Sequence, residues 1–372
     1  MKSVYDPNNT KKSHKKCRMF LDDDNESVSI ARYDDVKYPV ILKMQEKQMS
    51  FFWRPEEVDL MRDPAEFRAL SEPEKHIFLS NLKRQILLDS VQGRSPNLAF
   101  LPIATLPEVE TFIEAWSFFE TIHNHSYTYI IQNSIPNPST VFDEINEIDE
   151  ILECAKDISK YYDSLIHYNN YVNLHGYDEK YTKYGHKKAL WLALMAVNML
   201  EGIRFYVSFA CSWAFATGQG KMEGNAKVIQ FICRDENLHQ GFTQYVLNML
   251  PKEDPDYVKI KEETSDECVQ MLIDCVDQEK EWAEYLFKSG SMLGLTADLL
   301  KQYVEWIANK RILKLGLPSP YSVPRGNPLP WTEEWIKGKG RQAAPQETEN
   351  TKYLVGEIDK TVESYDLSSF KL

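Results

Sequence analysis

Apolar residues recur at three- and four-residue intervals through most of the chain, the spacing that lines one face of a helix. Stretches long enough for such helices lie near 65–92, 102–133, 150–175, 187–216, 223–249, 255–288 and 296–314. Breakers mark their ends: Pro136 and Pro138 follow the second stretch, Gly218 and Gly220 the fourth. Neither a strand-turn-strand series nor a solenoid period is present. The pattern predicts an all-α fold.

The stretch 189–216, ALWLALMAVNMLEGIRFYVSFACSWAFA, is long and apolar enough to cross a bilayer. Glu201 and Arg204 stand near its middle, where charges are expensive in lipid. Its neighbours are amphipathic, so it is read as the buried central helix of a large bundle, and no membrane partner is expected. After Trp335 the character changes. Gly338 to Asn350 is polar, and the closing TKYLVGEIDKTVESYDLSSFKL carries isolated apolar residues on an acidic background. Pattern alone leaves two readings of that tail open: a disordered end, or one that docks on another protein through Leu367, Phe370 and Leu372.

Length alone, 372 residues, would suggest two or three domains. The pattern instead divides the chain into a polar arm, 1–30, a helical region, 31–337, and a tail, 338–372. Hydrophobic residues make up 43% and charged residues 27%, ordinary for a protein with a large core. The formal net charge of -13 argues against a nucleic-acid partner. Lys11, Lys12, Lys15 and Lys16 form a basic run beside Asp22, Asp23 and Asp24, and both runs are read as a solvated arm. No apolar h-region follows the N-terminal charges, so no signal peptide is expected. None of the six cysteines forms Cys-x-x-Cys; they read as reduced core residues of a cytoplasmic protein.

Candidate chemistry enters through two Glu-x-x-His pairs, Glu120/His123 and Glu236/His239. A spacing of three puts both side chains on one helix face, where they can grip one metal ion. With eight histidines, roughly one such pair is expected by chance, so a single pair means little. The surroundings add to it. Asp89 precedes Glu120 in QILLDSVQG, and Glu201 precedes Glu236 in NMLEGIRF, both in apolar helical segments where an unpaired charge is costly. The chain thus repeats one plan twice: a carboxylate helix, then a Glu-x-x-His helix. That is the donor set of a di-iron or di-manganese carboxylate bundle. Bland readings exist for each residue: either histidine as a satisfied core group, Glu201 as a partner of Arg204. The ensemble favours a two-metal site.

His125, five residues from Glu120, is rotated about 140° off the ligand face and is read as structural or exposed. Tyr127 stands four residues after His123, on that face. It is either a hydrogen-bonded core tyrosine or a one-electron donor to oxidised metals. Phe205, Phe209 and Ile232 are ordinary core residues by type, but the same shell would keep a radical dry.

The blocks ARYD, SFFWRPEEVDL, LLDSVQGRSPN, ETIHNHSYT, LEGIRFYVSFACS, MEGNAKVI, RDENLH, FKSGSMLGL, YLVGEID and DLSSFKL, in this order, closely resemble the small, radical-generating subunit of class Ia ribonucleotide reductase. The resemblance runs from about Ala31 to Leu372. It implies a ferritin-like four-helix bundle with additional helices and a di-iron centre in its core. Asp89, Glu120 and His123 would bind one iron, and Glu201, Glu236 and His239 the other, with Glu120 and Glu236 bridging. Tyr127 matches the tyrosine that holds the stable radical, Asp89 its hydrogen-bonding neighbour, and Phe205, Phe209 and Ile232 the pocket around it. Trp53, Asp235 and His123 match the inner part of the radical-transfer path, and Tyr353 the tail tyrosine that carries the radical onward. Trp116 looks like a partner of a ligand carboxylate.

The resemblance further implies O2 as oxidant, a homodimer, and a large catalytic subunit bound through the segment ending at Leu372, which decides the tail in favour of docking. Asn124 and His125 depart from residues common in relatives, and the arm before Ser29 matches nothing usable. Tyr127 speaks against variants that carry phenylalanine there with a manganese–iron pair. Block similarity favours iron, although such oxygen and nitrogen ligands suit several divalent metals. The alternatives are a stand-alone di-iron oxidase or oxygenase, which needs an open cavity at the metals, and a ferritin-type iron store, which has no use for Trp53 or a docking tail.

Overall fold

Ser71 and Glu74 decide where the first long helix begins. The Ser71 backbone N–H donates to Glu74 Oε2 at 2.9 Å, and the reciprocal bond completes a capping box with proline in the first turn. The computed structural model describes residues 12–22 and 30–337, and among them it has no strand, only two isolated bridges. Ten helices carry the description: α1 Pro39–Met49, α2 Glu72–Gln92, α3 Pro107–Ser134, α4 Asp149–His175, α5 Lys183–Gln219, α6 Glu223–Glu253, α7 Pro255–Glu263, α8 Ser265–Phe287, α9 Ala297–Lys314 and α10 Thr332–Lys337. The fold is ferritin-like: α2, α3, α5 and α6 surround the carboxylate and histidine cluster. One connected apolar core runs from Cys17 to Leu329.

Helix α5 is the apolar stretch of bilayer length, and 94% of its most apolar window is buried inside the protein. It is interrupted once, by a π-turn over Leu200–Arg204 that carries Glu201. Such single-turn bulges re-aim side chains and cluster at functional sites. Arg204 turns away from Glu201: its Nη2 donates to Asp157 Oδ2 at 2.8 Å, and Nη1 to Cys154 Sγ and Gln278 Oε1. The reading of Glu201 as a partner of Arg204 therefore fails. Gly220, at φ 62°, ends the helix in the left-handed conformation. Across the turn, Asp63 accepts from the backbone N–H of Gly224 and of Asn225 and so caps α6 from a distant segment. A side chain at Gly224 would meet the Asp59 carbonyl at 2.5 Å, so only glycine fits there.

Several expectations need correction. The stretch 65–92 is two helices, Asp63–Arg68 and α2, broken at the capping box. The second stretch starts at Pro107 rather than 102, and 255–288 breaks at Thr264. Helix α1 was not anticipated, because its apolar residues bunch at its start, Val40 to Met44, rather than recurring along one face. The arm is not wholly solvated. Cys17, Met19, Phe20 and Leu21 are buried, and so is Asp22, which accepts from the Arg18 N–H. Glu253 holds this segment at the end of α6 by accepting from the Met19 N–H at 2.9 Å and Lys37 Nζ at 2.7 Å. Four apolar residues within the arm outweigh the charges that flank them. All six cysteines are buried and unbridged.

Candidate metal centre

The six residues singled out by spacing converge. Asp89, Glu120, His123 and Glu236 form one group, and Glu120, Glu201, Glu236 and His239 a second. Within each group the donor atoms lie within 4.8 Å of one another. Glu120 and Glu236 belong to both. All six side chains are fully buried.

Two metal ions fit this donor set. Both oxygens of Asp89, and Oε2 of Glu120, Nδ1 of His123, Oε2 of Glu201 and Oε1 of Glu236, are buried without a hydrogen bond, a costly state unless they ligate. His123 Nδ1 is 3.0 Å from Glu236 Oε1, 3.3 Å from Glu120 Oε2 and 4.0 Å from Asp89 Oδ2. His239 Nδ1 is 2.7 Å from Glu236 Oε2 and 3.2 Å from Glu120 Oε1. Burial and the neighbouring charges of Glu120 and Glu236 push Asp89 well above the carboxylate range. Glu201 is raised the same way, by burial first and Glu236 next. Burial pulls His123 and His239 down, but the carboxylates around them win and raise both. Burial also opposes the charge on Glu236, yet His123 and His239 hold it below the usual range. The cluster thus gathers protons on its own groups, the compensation that two cations would supply.

Around the six candidate ligands stand groups that hold them. Trp116 Nε1 donates to Glu120 Oε1 at 2.9 Å, in the position expected of it. Gln92 Nε2 donates to Glu201 Oε1 at 2.6 Å, and Gln92 Oε1 accepts from the Tyr162 hydroxyl at 2.8 Å. Gln48 Nε2 lies 2.5 Å from His239 Nε2, while Gln48 Oε1 has no partner. Turning that amide over lets Oε1 accept from a protonated Nε2, the tautomer that frees Nδ1 for a metal. Gln48, Gln92 and Tyr162 were missed in the sequence. Gln92 stands three residues after Asp89, a spacing that could have revealed it; Gln48 and Tyr162 give no such signal.

Trp53 is fully buried, and its Nε1 donates to Asp235 Oδ2 at 2.9 Å. The same oxygen lies 3.3 Å from His123 Nε2. Trp53, Asp235 and His123 therefore form one continuous line. Arg234 Nη2, 3.1 Å from Asp235 Oδ1, steadies its other oxygen.

Tyr127 is fully buried. Burial and then the charge of Asp89 push its phenol well above the ordinary range, so it stays neutral. Asp89 is also its side-chain hydrogen-bond partner, in loose geometry, which agrees with the expected pairing of the two residues. Phe205, Phe209 and Ile232 are fully buried, with the two phenylalanine rings stacked at 5.5 Å. His125 is exposed, as expected. Tyr353 and the segment expected to dock lie outside the described residues.

With this geometry in place, the comparisons are specific. The family model for the ribonucleotide reductase small chain matches residues 31–328. The chain is 51% identical to the ribonucleoside-diphosphate reductase subunit beta of Haemophilus influenzae, over 93% of this chain and 94% of that one. It is 50% identical to the ribonucleoside-diphosphate reductase 1 subunit beta of Escherichia coli O157:H7, over 98% of each. Among solved structures, the ribonucleotide reductase R2 subunit from Clostridium botulinum superposes with a TM-score of 0.76 at 26% identity, covering 90% of this chain and 98% of that one.

Proposed function

Because the chain belongs to the ribonucleotide reductase small-chain family, we propose that Asp89, Glu120, His123, Glu201, Glu236 and His239 hold its two metals, and that Tyr127 carries its radical. The family's task is to generate a tyrosyl radical at a di-metal centre for the large subunit, which reduces ribonucleotides. The observation that carries the residue assignment is the convergence of six buried donors, five of them with an atom that has no hydrogen bond, on the helices that also bring Tyr127 and Asp235.

When bound, the metal pair supplies oxidising power by reducing O2. The protein's own groups do the rest. Tyr127 is a neutral phenol in a dry site, so losing an electron requires losing its proton too; Asp89, the charge it feels most, is the nearest acceptor in kind. Full burial keeps reductants away from the resulting radical. Asp235 links Trp53 to His123, giving electron and proton a route between the centre and the segment around Trp53. Tyr353 is proposed to take the radical onward, and the segment ending at Leu372 to bind the large subunit.

Iron is the proposed metal, as two ions per chain, on block similarity; the donor set itself also suits manganese. A homodimer in the cytoplasm is proposed, the six unbridged cysteines fitting a reducing compartment. The full burial of Tyr127, Phe205, Phe209 and Ile232 disfavours an oxygenase with its own substrate, and the Trp53–Asp235–His123 line has no purpose in an iron store.

Deleting the tail from Asp366 should abolish binding to the large subunit while leaving the radical signal intact. Tyr353→Phe should keep both binding and radical but stop nucleotide reduction. Affinity measured by surface plasmon resonance and turnover measured on the reconstituted pair check this. Unchanged affinity of the truncated chain, or retained turnover of Tyr353→Phe, would refute the proposed route.

A further inference from the structure

Between α9 and α10 is a cavity of about 190 Å3, whose lining includes Trp306, Lys310, Arg311, Asn327, Glu333 and Lys337. Three of these are cations and one is an acid. Glu333 is already engaged by Lys337. Among the described residues Lys310 and Arg311 form no ion pair. The Lys310 ammonium lies over the Trp306 ring instead, 3.6 Å from its centre.

Arg311 is the unusual member. It is 4% exposed, and its three hydrogen bonds all go to neutral acceptors. Nε donates to the Gly202 carbonyl at 3.3 Å, Nη1 to Gln240 Oε1 at 2.9 Å and Nη2 to the Tyr206 hydroxyl at 3.0 Å. These orient the guanidinium without offsetting its charge, and two of its five N–H donors remain free. A buried cation without a counter-charge is costly. The neighbours register the field: Lys314 is pushed down to about 8 by burial and by repulsion from Arg311 and Lys310.

We propose that this cavity is an oxyanion site that takes a phosphate group, held by Lys310, Arg311 and Lys337. Three positive charges against one negative leave two in excess, which matches a phosphate near neutral pH. A fixed guanidinium and two ammonium groups on flexible stems suit a tetrahedral oxyanion, and the cavity has room for it with some of its waters. The site abuts the segments next to Glu201 and His239, through Gly202 and Gln240, but it does not depend on what those residues bind. The phosphate could be free or part of a nucleotide. The Trp306 face is already covered by Lys310, and Tyr303 stacks beside it, so a base finds no ring to stack on.

Isothermal titration calorimetry of the metal-free full chain tests this, with inorganic phosphate and with adenosine monophosphate in separate runs. Saturable binding of one phosphate per chain is expected, weakened about tenfold or more in the double variant Lys310→Gln/Lys337→Gln, a change of about 1.4 kcal/mol. Both lysines are partly exposed, and circular dichroism checks that the variant stays folded. Equal affinity for the two ligands identifies free phosphate as the source; a tenfold preference for the nucleotide identifies a nucleotide phosphate. Absence of saturable binding in both runs, or unchanged affinity in the double variant, overturns the proposal.

Discussion

Tyr127→Phe is expected to abolish the tyrosyl electron-paramagnetic-resonance signal and to take nucleotide reduction to background, while two metal ions still bind. The expectation is this sharp because so little else changes. The hydroxyl is the only group lost, and the partner it gives up is Asp89. Losing one such hydrogen bond alters stability by about 1 kcal/mol. The ring stays and keeps the packing of a fully buried site. Phenylalanine, however, has no proton to release with its electron. A variant that folds, binds metal and gives no signal would separate the oxidisable group from the site that oxidises it. A surviving tyrosyl signal would move the radical to another residue; Tyr162, whose hydroxyl reaches Gln92 and through it Glu201, would be the first to examine.

The second large effect is expected at Asp235→Asn. Asparagine has nearly the volume of aspartate and retains one oxygen for the Trp53 N–H. It loses the charge that both Trp53 Nε1, at 2.9 Å, and His123 Nε2, at 3.3 Å, now meet. Groups that orient a metal-bound histidine typically cost 10–100-fold in affinity or activity when changed, so turnover should fall by about that range. The radical signal should still appear after exposure to oxygen, because the carboxylate that Tyr127 pairs with is Asp89, not Asp235. Trp53→Phe should lose turnover with unchanged metal affinity, since Trp53 touches no ligand directly. Single-turnover assays on the reconstituted pair measure the loss. Full turnover in Asp235→Asn would remove this residue from the path.

Comparing these sites with the bare sequence shows which signals carry far. The six donors were legible because each pair sits at helical spacing and each lone carboxylate interrupts an apolar run; periodicity places such residues in space without tertiary detail. Tyr127 was legible for the same reason. What spacing cannot show is a contact between distant segments. Trp53 and Asp235 are 182 positions apart, and only the resemblance joined them. Gln48 reaches His239 across 191 positions and left no trace. The π-turn at Glu201 was hidden because this part of α5 is buried on every side, so a one-residue shift in helix phase moves no apolar stripe. The break before α2 was written in the sequence as Ser71-x-x-Glu74, a capping box overlooked in favour of the longer apolar run. The packed part of the arm was masked by its flanking charges, although Cys17, Met19, Phe20 and Leu21 are apolar and close together.

The central claim is that six buried donors hold two metals whose oxidising power ends on Tyr127. It is tested most directly by loading the metal-free chain with Fe(II), exposing it to air, and measuring metal content and the electron-paramagnetic-resonance spectrum on the same sample. The account predicts two iron ions per chain and a tyrosyl signal. One ion or fewer per chain, or two ions with no tyrosyl signal, would contradict it.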